Sequence, residues 1–242
     1  MKQHEAVIQS LDRLGGQATL ADLYRDVLQI KECEWKTKTP FASIRRIVQQ
    51  RREIFKVRPG LWALRSYKDK LGLSEYSEKA EISPKSIEQN HSYYQGMLVI
   101  IGNLRKYSTY IPNQDKSKMF VNKPLEELRS LKEIPKFSHD SLVNRSATID
   151  VIWFNDRLMP HSFFEIEHTT DIQNSLLKYC DLQDFYVQMI IVSDEKRHAE
   201  YKQKLNLVAF ADIRKRVNFL SYNILVRQYE FEIIKANRDF VV

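Results

Sequence analysis

Apolar residues recur at helical spacing from about residue 3 to residue 14, where Ala6, Val7, Leu11 and Leu14 fall on one stripe. The pattern stops at Gly15-Gly16, a pair suited to ending a helix. A second stripe, Leu20, Leu23, Tyr24 and Val27, follows Thr19, a residue type that caps helix starts. A third helix is predicted to open at Thr39-Pro40, because proline tolerates the first helical position. Its apolar side carries Phe41, Ile44, Ile47 and Val48; its other side carries Ser43, Arg45, Arg46, Gln49, Gln50 and Arg52. From Ile54 to Leu64 the period drops to two around Pro59-Gly60, which predicts a hairpin.

Residues 66 to 87 are polar and lack periodicity, and they predict a linker ending near Pro84. A long helix should then run from about residue 87 to residue 107, with Tyr94, Met97, Leu98, Ile101 and Leu104 inward. The signal weakens over a short strand at Thr109-Tyr110-Ile111, a short helix over 124–132 and a loop over 136–145. It sharpens again with a strand over 148–154, a turn at Asn155-Asp156 and a strand over 162–168. A helix over 171–185 and a strand over 187–192, apolar but for Gln188 and read as the buried parallel kind, come next. The pattern closes with a helix over 194–205, a strand over 207–210 and helical character to residue 217. This order predicts an α/β domain over 88–242, a linker over 67–87 and a small helical-plus-hairpin domain over 1–66.

Charge changes the picture more than composition does. Residues 1–66 hold 13 Lys and Arg against 7 Asp and Glu, whereas the remainder holds 25 against 24. Nearly all of the net +7 therefore sits in the first quarter of the chain, which points to a polyanionic partner there. The longest apolar run, from Met97 to Ile101, is far too short to span a bilayer, and the N-terminus lacks an apolar leader. A cytoplasmic protein with no membrane partner is expected. Two cysteines, Cys33 and Cys180, cannot form a four-cysteine zinc site, and both are expected as reduced thiols, Cys180 buried on a helix.

The first 65 residues, through "L..LGG.ATLADLY" and "FKVRPGLWAL", resemble the HARE-type winged helix-turn-helix. The resemblance implies a module that binds double-stranded DNA with its third helix and wing. Lys38, Ser43, Arg45, Arg46, Gln49, Gln50 and Arg58 are then the expected DNA-binding side chains. A winged helix used only for protein contact is the alternative, and the basic third helix favours DNA.

The residues that carry chemistry are Asp150, Glu165 and Glu167. Asp150 stands in an apolar run, an awkward place for a charge without a partner. Glu165 and Glu167, two apart on a strand, point to one face. Three such carboxylates would repel one another unless a cation sat between them, and hard oxygen ligands select Mg²⁺ or Mn²⁺. The side chains should then converge within one metal's reach. No GxSxG, GxxxxGK[ST] or GxGxxG occurs, and His139, His161 and His168 lack metal spacing.

The pair "TID" and "FEIEHTT" resembles the PD-(D/E)XK nuclease superfamily signature, with Asp150 as the first acid and Glu165 as the second. Where that signature has lysine, this chain has Glu167. The resemblance implies a restriction-endonuclease-like, mixed-sheet α/β core behind the winged helix. It also implies metal held by Asp150, Glu165 and the Ile166 carbonyl, with Glu167 binding metal or accepting a proton from water. The product would be a 5′-phosphate and a 3′-hydroxyl. Lys178, in the following helix, is the candidate relocated positive charge, and His91 and Gln95 on the first helix of the domain are candidate accessory residues. Cutting both DNA strands implies a homodimer. A non-catalytic DNA-binding regulator on a degenerate nuclease fold is the alternative, favoured by the substitution at position 167.

Overall fold

The computed structural model describes residues 1–73 and 84–238, and ten residues of the expected linker, 74–83, lie outside that description. By spatial contact the chain divides into a unit of Met1–Glu81 with Glu230–Val242 and a unit of Ile82–Tyr229. The expected second domain ran to residue 242; the stretch from Glu230 instead groups with the first unit.

The first unit opens with α1 (Gln3–Arg13), β1 (Gln17–Thr19) and α2 (Leu20–Asp26). Ala6, Val7 and Leu11 of α1 are fully buried, as the stripe required, and Gly15 and Gly16 end the helix with positive φ of 86° and 88°. Thr19 caps α2: its hydroxyl accepts the Asp22 amide at 3.1 Å while the Asp22 carboxylate reaches back to the Thr19 amide at 3.3 Å. Helix α3 (Pro40–Gln50) starts at the expected proline and buries Ile44 and Val48. Strands β2 (Ile54–Arg58) and β3 (Leu61–Leu64) pair antiparallel, and β1 joins the other edge of β3. The unit is thus the expected three helices and hairpin, with β1 as a third strand that the pattern did not predict. The pattern could not foresee Ile234, whose side chain packs against this core from the far end of the chain.

The second unit starts on α4 (Pro84–Leu104), whose residues Tyr94, Met97, Leu98 and Ile101 are buried. Then come β4 (Ser108–Tyr110), the two-residue strands β5 (Met119–Phe120) and β6 (Lys123–Pro124), and α5 (Asp140–Ser146). Strands β7 (Val151–Phe154) and β8 (Pro160–Glu167), α6 (Ile172–Asp181), β9 (Gln188–Ser193), α7 (His198–Leu205), β10 (Val217–Ser221) and α8 (Tyr222–Arg238) complete the order, α8 belonging to the second unit only as far as Tyr229. Five strands form one mixed sheet in the order β10-β9-β8-β7-β4. β8, β9 and β10 run parallel, whereas β7 is antiparallel to both β8 and β4. The run over 187–192 lies in the parallel strand β9 between β8 and β10; its Met189 and Ile191 are fully buried, and Gln188 at its start is polar and exposed.

Several expectations fail, for identifiable reasons. The strand over 207–210 is a 3₁₀ turn at Val208–Phe210, because only Phe210 of its apolar residues points into the core while Val208 is exposed. Residues 211–216, expected to be helical, form turns, and the chain reaches the sheet edge after them, at β10. The loop over 136–145 contains α5, a helix of seven residues, too short for a periodic signal. The helix over 124–132 reduces to a 3₁₀ turn, Leu125–Glu127, and the helix over 171–185 ends at Asp181. Cys33 is buried, but Cys180 is partly exposed. Asp150 is not within the strand; it occupies the bend just before β7, outside the ladder that begins at Val151 opposite Phe164. No helix among the described residues is long and apolar enough to cross a membrane.

Candidate active site

Asp150 lies between α5 and β7, and three groups fix it. Its Oδ2 accepts the Ile166 amide at 2.7 Å, which ties it to β8 between Glu165 and Glu167. His91 Nε2, from α4, stands 3.1 Å from the same oxygen. Gln95, one turn further along α4 and fully buried, donates to the Asp150 carbonyl at 3.0 Å. Burial opposes ionisation of Asp150, but His91, the Ile166 amide and Lys178 outweigh it and hold the carboxyl below its usual range. Burial also opposes the charged form of His91, and the facing Asp150 carboxylate overcomes this and raises its pKa.

Glu165 and Glu167 are buried on β8, at 2% and 5% exposure, against α6. Helix α6 follows β8 after a four-residue turn, with Asp171 capping it by accepting the Gln173 amide at 3.0 Å. Its inner face presents Ser175 and Lys178, spaced three apart and so on one side. Lys178 Nζ lies 2.8 and 3.0 Å from the two oxygens of Glu165 and 3.0 Å from the Thr148 carbonyl. The Ser175 hydroxyl is 2.9 Å from Glu165 Oε2 and also contacts Glu167 Oε1. One hydroxyl proton therefore faces two carboxylates. Burial and then repulsion from Asp150 push the Glu165 pKa up to about 8, against the pull of Lys178 and Ser175. Burial raises Glu167 as well, opposed by the hydroxyls of Ser175 and Thr170.

The two glutamates thus differ in surroundings. Glu165 is bonded by Lys178 as well as Ser175, whereas Glu167 is bonded by Ser175 and Thr170, the latter in the turn that leads to α6. Arg197 reinforces that turn by donating to the Thr170 carbonyl at 2.6 Å. The expected three-carboxylate convergence is not what the chain forms. Among the described residues, no group of three His, Cys, Asp or Glu side chains is arranged to hold a metal ion. Asp150, Glu165 and Lys178 come together with His91 and Gln95, while Glu167 turns to the hydroxyls. His168 contacts Asn90 and Tyr222, at 3.3 Å each.

Sequence reasoning missed Ser175, Thr170, Asp115 and Lys118. Ser175 had a readable signal, one helical turn before Lys178 on the same face. Asp115 had none: it is an acid in a polar stretch that folding buries to 2% exposure, paired with Gln95 at 2.9 Å and Lys118 at 2.8 Å.

Of the expected DNA-binding side chains, Lys38, Arg46, Gln49 and Gln50 are exposed, and Ser43 and Arg58 are half-buried. Arg45 is placed differently. It forms an ion pair with Glu230, a carboxylate buried to 8% side-chain exposure.

The family described as the type II restriction enzyme NmeDI C-terminal domain matches residues 73–238. The chain belongs to this family. All of the second unit's strands and the full Asp150–Glu165–Lys178 cluster lie within the matched stretch. A relative, the type II restriction enzyme NmeDI of Neisseria meningitidis serogroup C, is 29% identical over 131 residues, 48% of this chain. The alignment covers 36% of that relative, so the chain accounts for about a third of its length. No solved structure matches the chain.

Proposed function

We propose that the chain is a restriction-type endonuclease that hydrolyses phosphodiester bonds of double-stranded DNA with Mg²⁺ or Mn²⁺. The observation that carries the reading is the bond from the Ile166 amide, next to Glu165 on β8, to the Asp150 carboxylate just ahead of β7, with Lys178 on the Glu165 carboxylate, in a chain of a restriction-enzyme family. It deepens the resemblance to the PD-(D/E)XK superfamily: the missing lysine at 167 has a counterpart in Lys178.

The donor chemistry supports a divalent ion held by two carboxylates, not three. Asp150 is kept anionic, and Glu165 pays for its burial beside it with a raised pKa, a repulsion that a hard dication relieves. Gln95 Oε1 and His91 Nδ1, both buried and without a hydrogen-bond partner, leave polar capacity unused on the α4 side. Asp150, Glu165 and the Ile166 carbonyl are the proposed ligands. The ion, when bound, supplies charge neutralisation at the reacting phosphate and a more acidic water.

The chain's own residues do the rest. Asp150 is oriented by the Ile166 amide, so its side chain and the β8 backbone move as one piece. Lys178 brings the positive charge that stabilises the phosphorane, and the Thr148 carbonyl fixes its ammonium by accepting a hydrogen bond from it. Water attacks phosphorus, the P–O3′ bond breaks, and the 3′-oxygen takes up a proton, leaving a 5′-phosphate and a 3′-hydroxyl. Glu167, held by Ser175 and Thr170, anchors the turn into α6 and so the register of Lys178. The first unit, read as a winged helix, would bring Lys38, Ser43, Arg46, Gln49, Gln50 and Arg58 to the duplex, and a homodimer would cut both strands.

A second reading, a non-catalytic DNA-binding regulator, is favoured by one observation. The Lys178 ammonium already covers both oxygens of Glu165 and could stand in for a metal's charge. Incubating the protein with methylated and unmethylated plasmid, in Mg²⁺ or EDTA, beside Asp150→Ala separates the two. Discrete Mg²⁺-dependent fragments lost in the variant support the nuclease; binding with no cleavage in any lane supports the regulator.

A further inference from the structure

Asp150 stands outside the strand ladder, so the sheet does not hold its backbone, and a side chain does so instead. The Gln95 amide nitrogen uses one hydrogen on the Asp150 carbonyl, at 3.0 Å, and the other on Asp115 Oδ2, at 2.9 Å. Gln95 Oε1 has no partner and is buried. An amide in such a place has two orientations, and the reverse one would turn Oε1 toward two acceptors. Asp115 decides between them, because a carboxylate can only accept, and its charge makes the bond from Gln95 the stronger kind. Asp115 is itself fixed: it ends the turn Asn113–Asp115, and Lys118 Nζ balances its buried charge at 2.8 Å.

We infer that Asp115 is a positioning residue for Asp150, acting through the Gln95 side chain. Lys118, Asp115, Gln95 and Asp150 form one series from the surface to the site, and a break anywhere releases the Asp150 backbone. The catalytic meaning of this series rests on the nuclease reading, but the positioning does not. Asp115→Asn tests the logic sharply. Its new amide meets Lys118 best through its oxygen and so presents its NH₂ group to Gln95. Gln95 must then turn Oε1 toward Asp115, and its donor leaves the Asp150 carbonyl.

The readout is the Ile166 backbone amide, which bonds the Asp150 carboxylate, followed by hydrogen exchange in NMR spectra of the full chain. Asp115→Asn and Gln95→Leu should each speed Ile166 exchange about tenfold. The double variant should be no faster than Gln95→Leu, since the two residues act in series. The Ile191 amide on β9 should be unchanged, and Asp150→Ala sets the upper limit. Mn²⁺ alone, titrated by calorimetry, should bind about tenfold more weakly to each single variant, the range expected when a ligand's supporting partner is lost. Unchanged Ile166 exchange, an equal change at Ile191, or single effects that multiply in the double variant would each overturn the inference. If Asp150→Ala binds Mn²⁺ as the wild type does, the metal reading fails, and Ile166 exchange still judges the positioning role.

Discussion

The outer face of α3 and the polar cluster around Asp150 both adjoin apolar cores, but they handle charge in opposite ways. On α3, Arg46, Gln49 and Gln50 are exposed, free to meet a ligand that supplies the opposite charge. Around Asp150 the carboxylates are buried or half-buried and already met, Asp150 by His91 and a backbone amide, Glu165 by Lys178, Glu167 by hydroxyls. A surface of the first kind tolerates substitution and gains its energy on binding. One of the second kind is a coupled network, where removing a partner strands a buried group.

Asp150→Ala should have the largest effect, abolishing Mg²⁺-dependent cleavage in the plasmid assay while circular dichroism stays unchanged. Lys178→Ala should follow, lowering kcat by about 10² to 10³, the scale of losing one preorganised charge at a phosphoryl or acyl centre. Adding Glu167→Lys to Lys178→Ala returns a lysine to the strand and should recover part of that loss. No recovery, with the fold intact, would mean that the α6 position is not interchangeable with the strand position. Cleavage unaffected by Lys178→Ala would remove lysine from the reaction altogether.

The sequence exposed these two regions unequally. Periodicity located α1, α2, α3 and the β2–β3 hairpin to within a few residues, because each buries one face locally. It located β8 and β9 as well, and with them Glu165 and Glu167. It could not show that Asp150 precedes its strand, since Thr148 and Ile149 extend the alternating pattern backward without pairing in the ladder. Nor could it show which glutamate meets the cation. That choice is made by Ser175 and Lys178, whose inward placement depends on how α6 lies on β8. Asp115 lay furthest from view: its burial follows from folding alone.

Glu165 gives a pH test of the network. Its pKa in the folded chain is raised to about 8 from an unfolded value of 4.5, so the folded state holds the proton more tightly. Its contribution to stability is therefore complete below about pH 4.5 and is lost as the pH climbs through 8. In EDTA, the thermal midpoint should fall between about pH 4.5 and 8 and level off above, and Glu165→Gln should flatten that fall. Mg²⁺ should offset the loss most at the alkaline end, where the carboxylate is ionised and ready to bind. A midpoint that is insensitive to both pH and Mg²⁺ would disconnect Glu165 from a cation.

The smallest effect tests the comparison at its weakest point, Arg45, which lies on the exposed helix yet behaves like a member of the buried network. Glu230 holds its guanidinium, and the Tyr24 hydroxyl shares it, so Arg45 is committed before any DNA arrives. Arg46, its neighbour in sequence, is exposed on the adjoining part of the helix. Arg46→Ala should therefore weaken DNA binding across sequences and reduce the slope of log affinity against log salt by about 1. Arg45→Ala should leave that slope unchanged and instead destabilise the first unit, on the order of 1 kcal/mol for a half-exposed pair. Titrating both variants onto duplex DNA at several salt concentrations, beside their urea unfolding curves, separates the two roles. If Arg45→Ala lowers the salt slope as Arg46→Ala does, DNA outcompetes Glu230 for the guanidinium, and α3 reads the duplex with its whole polar side.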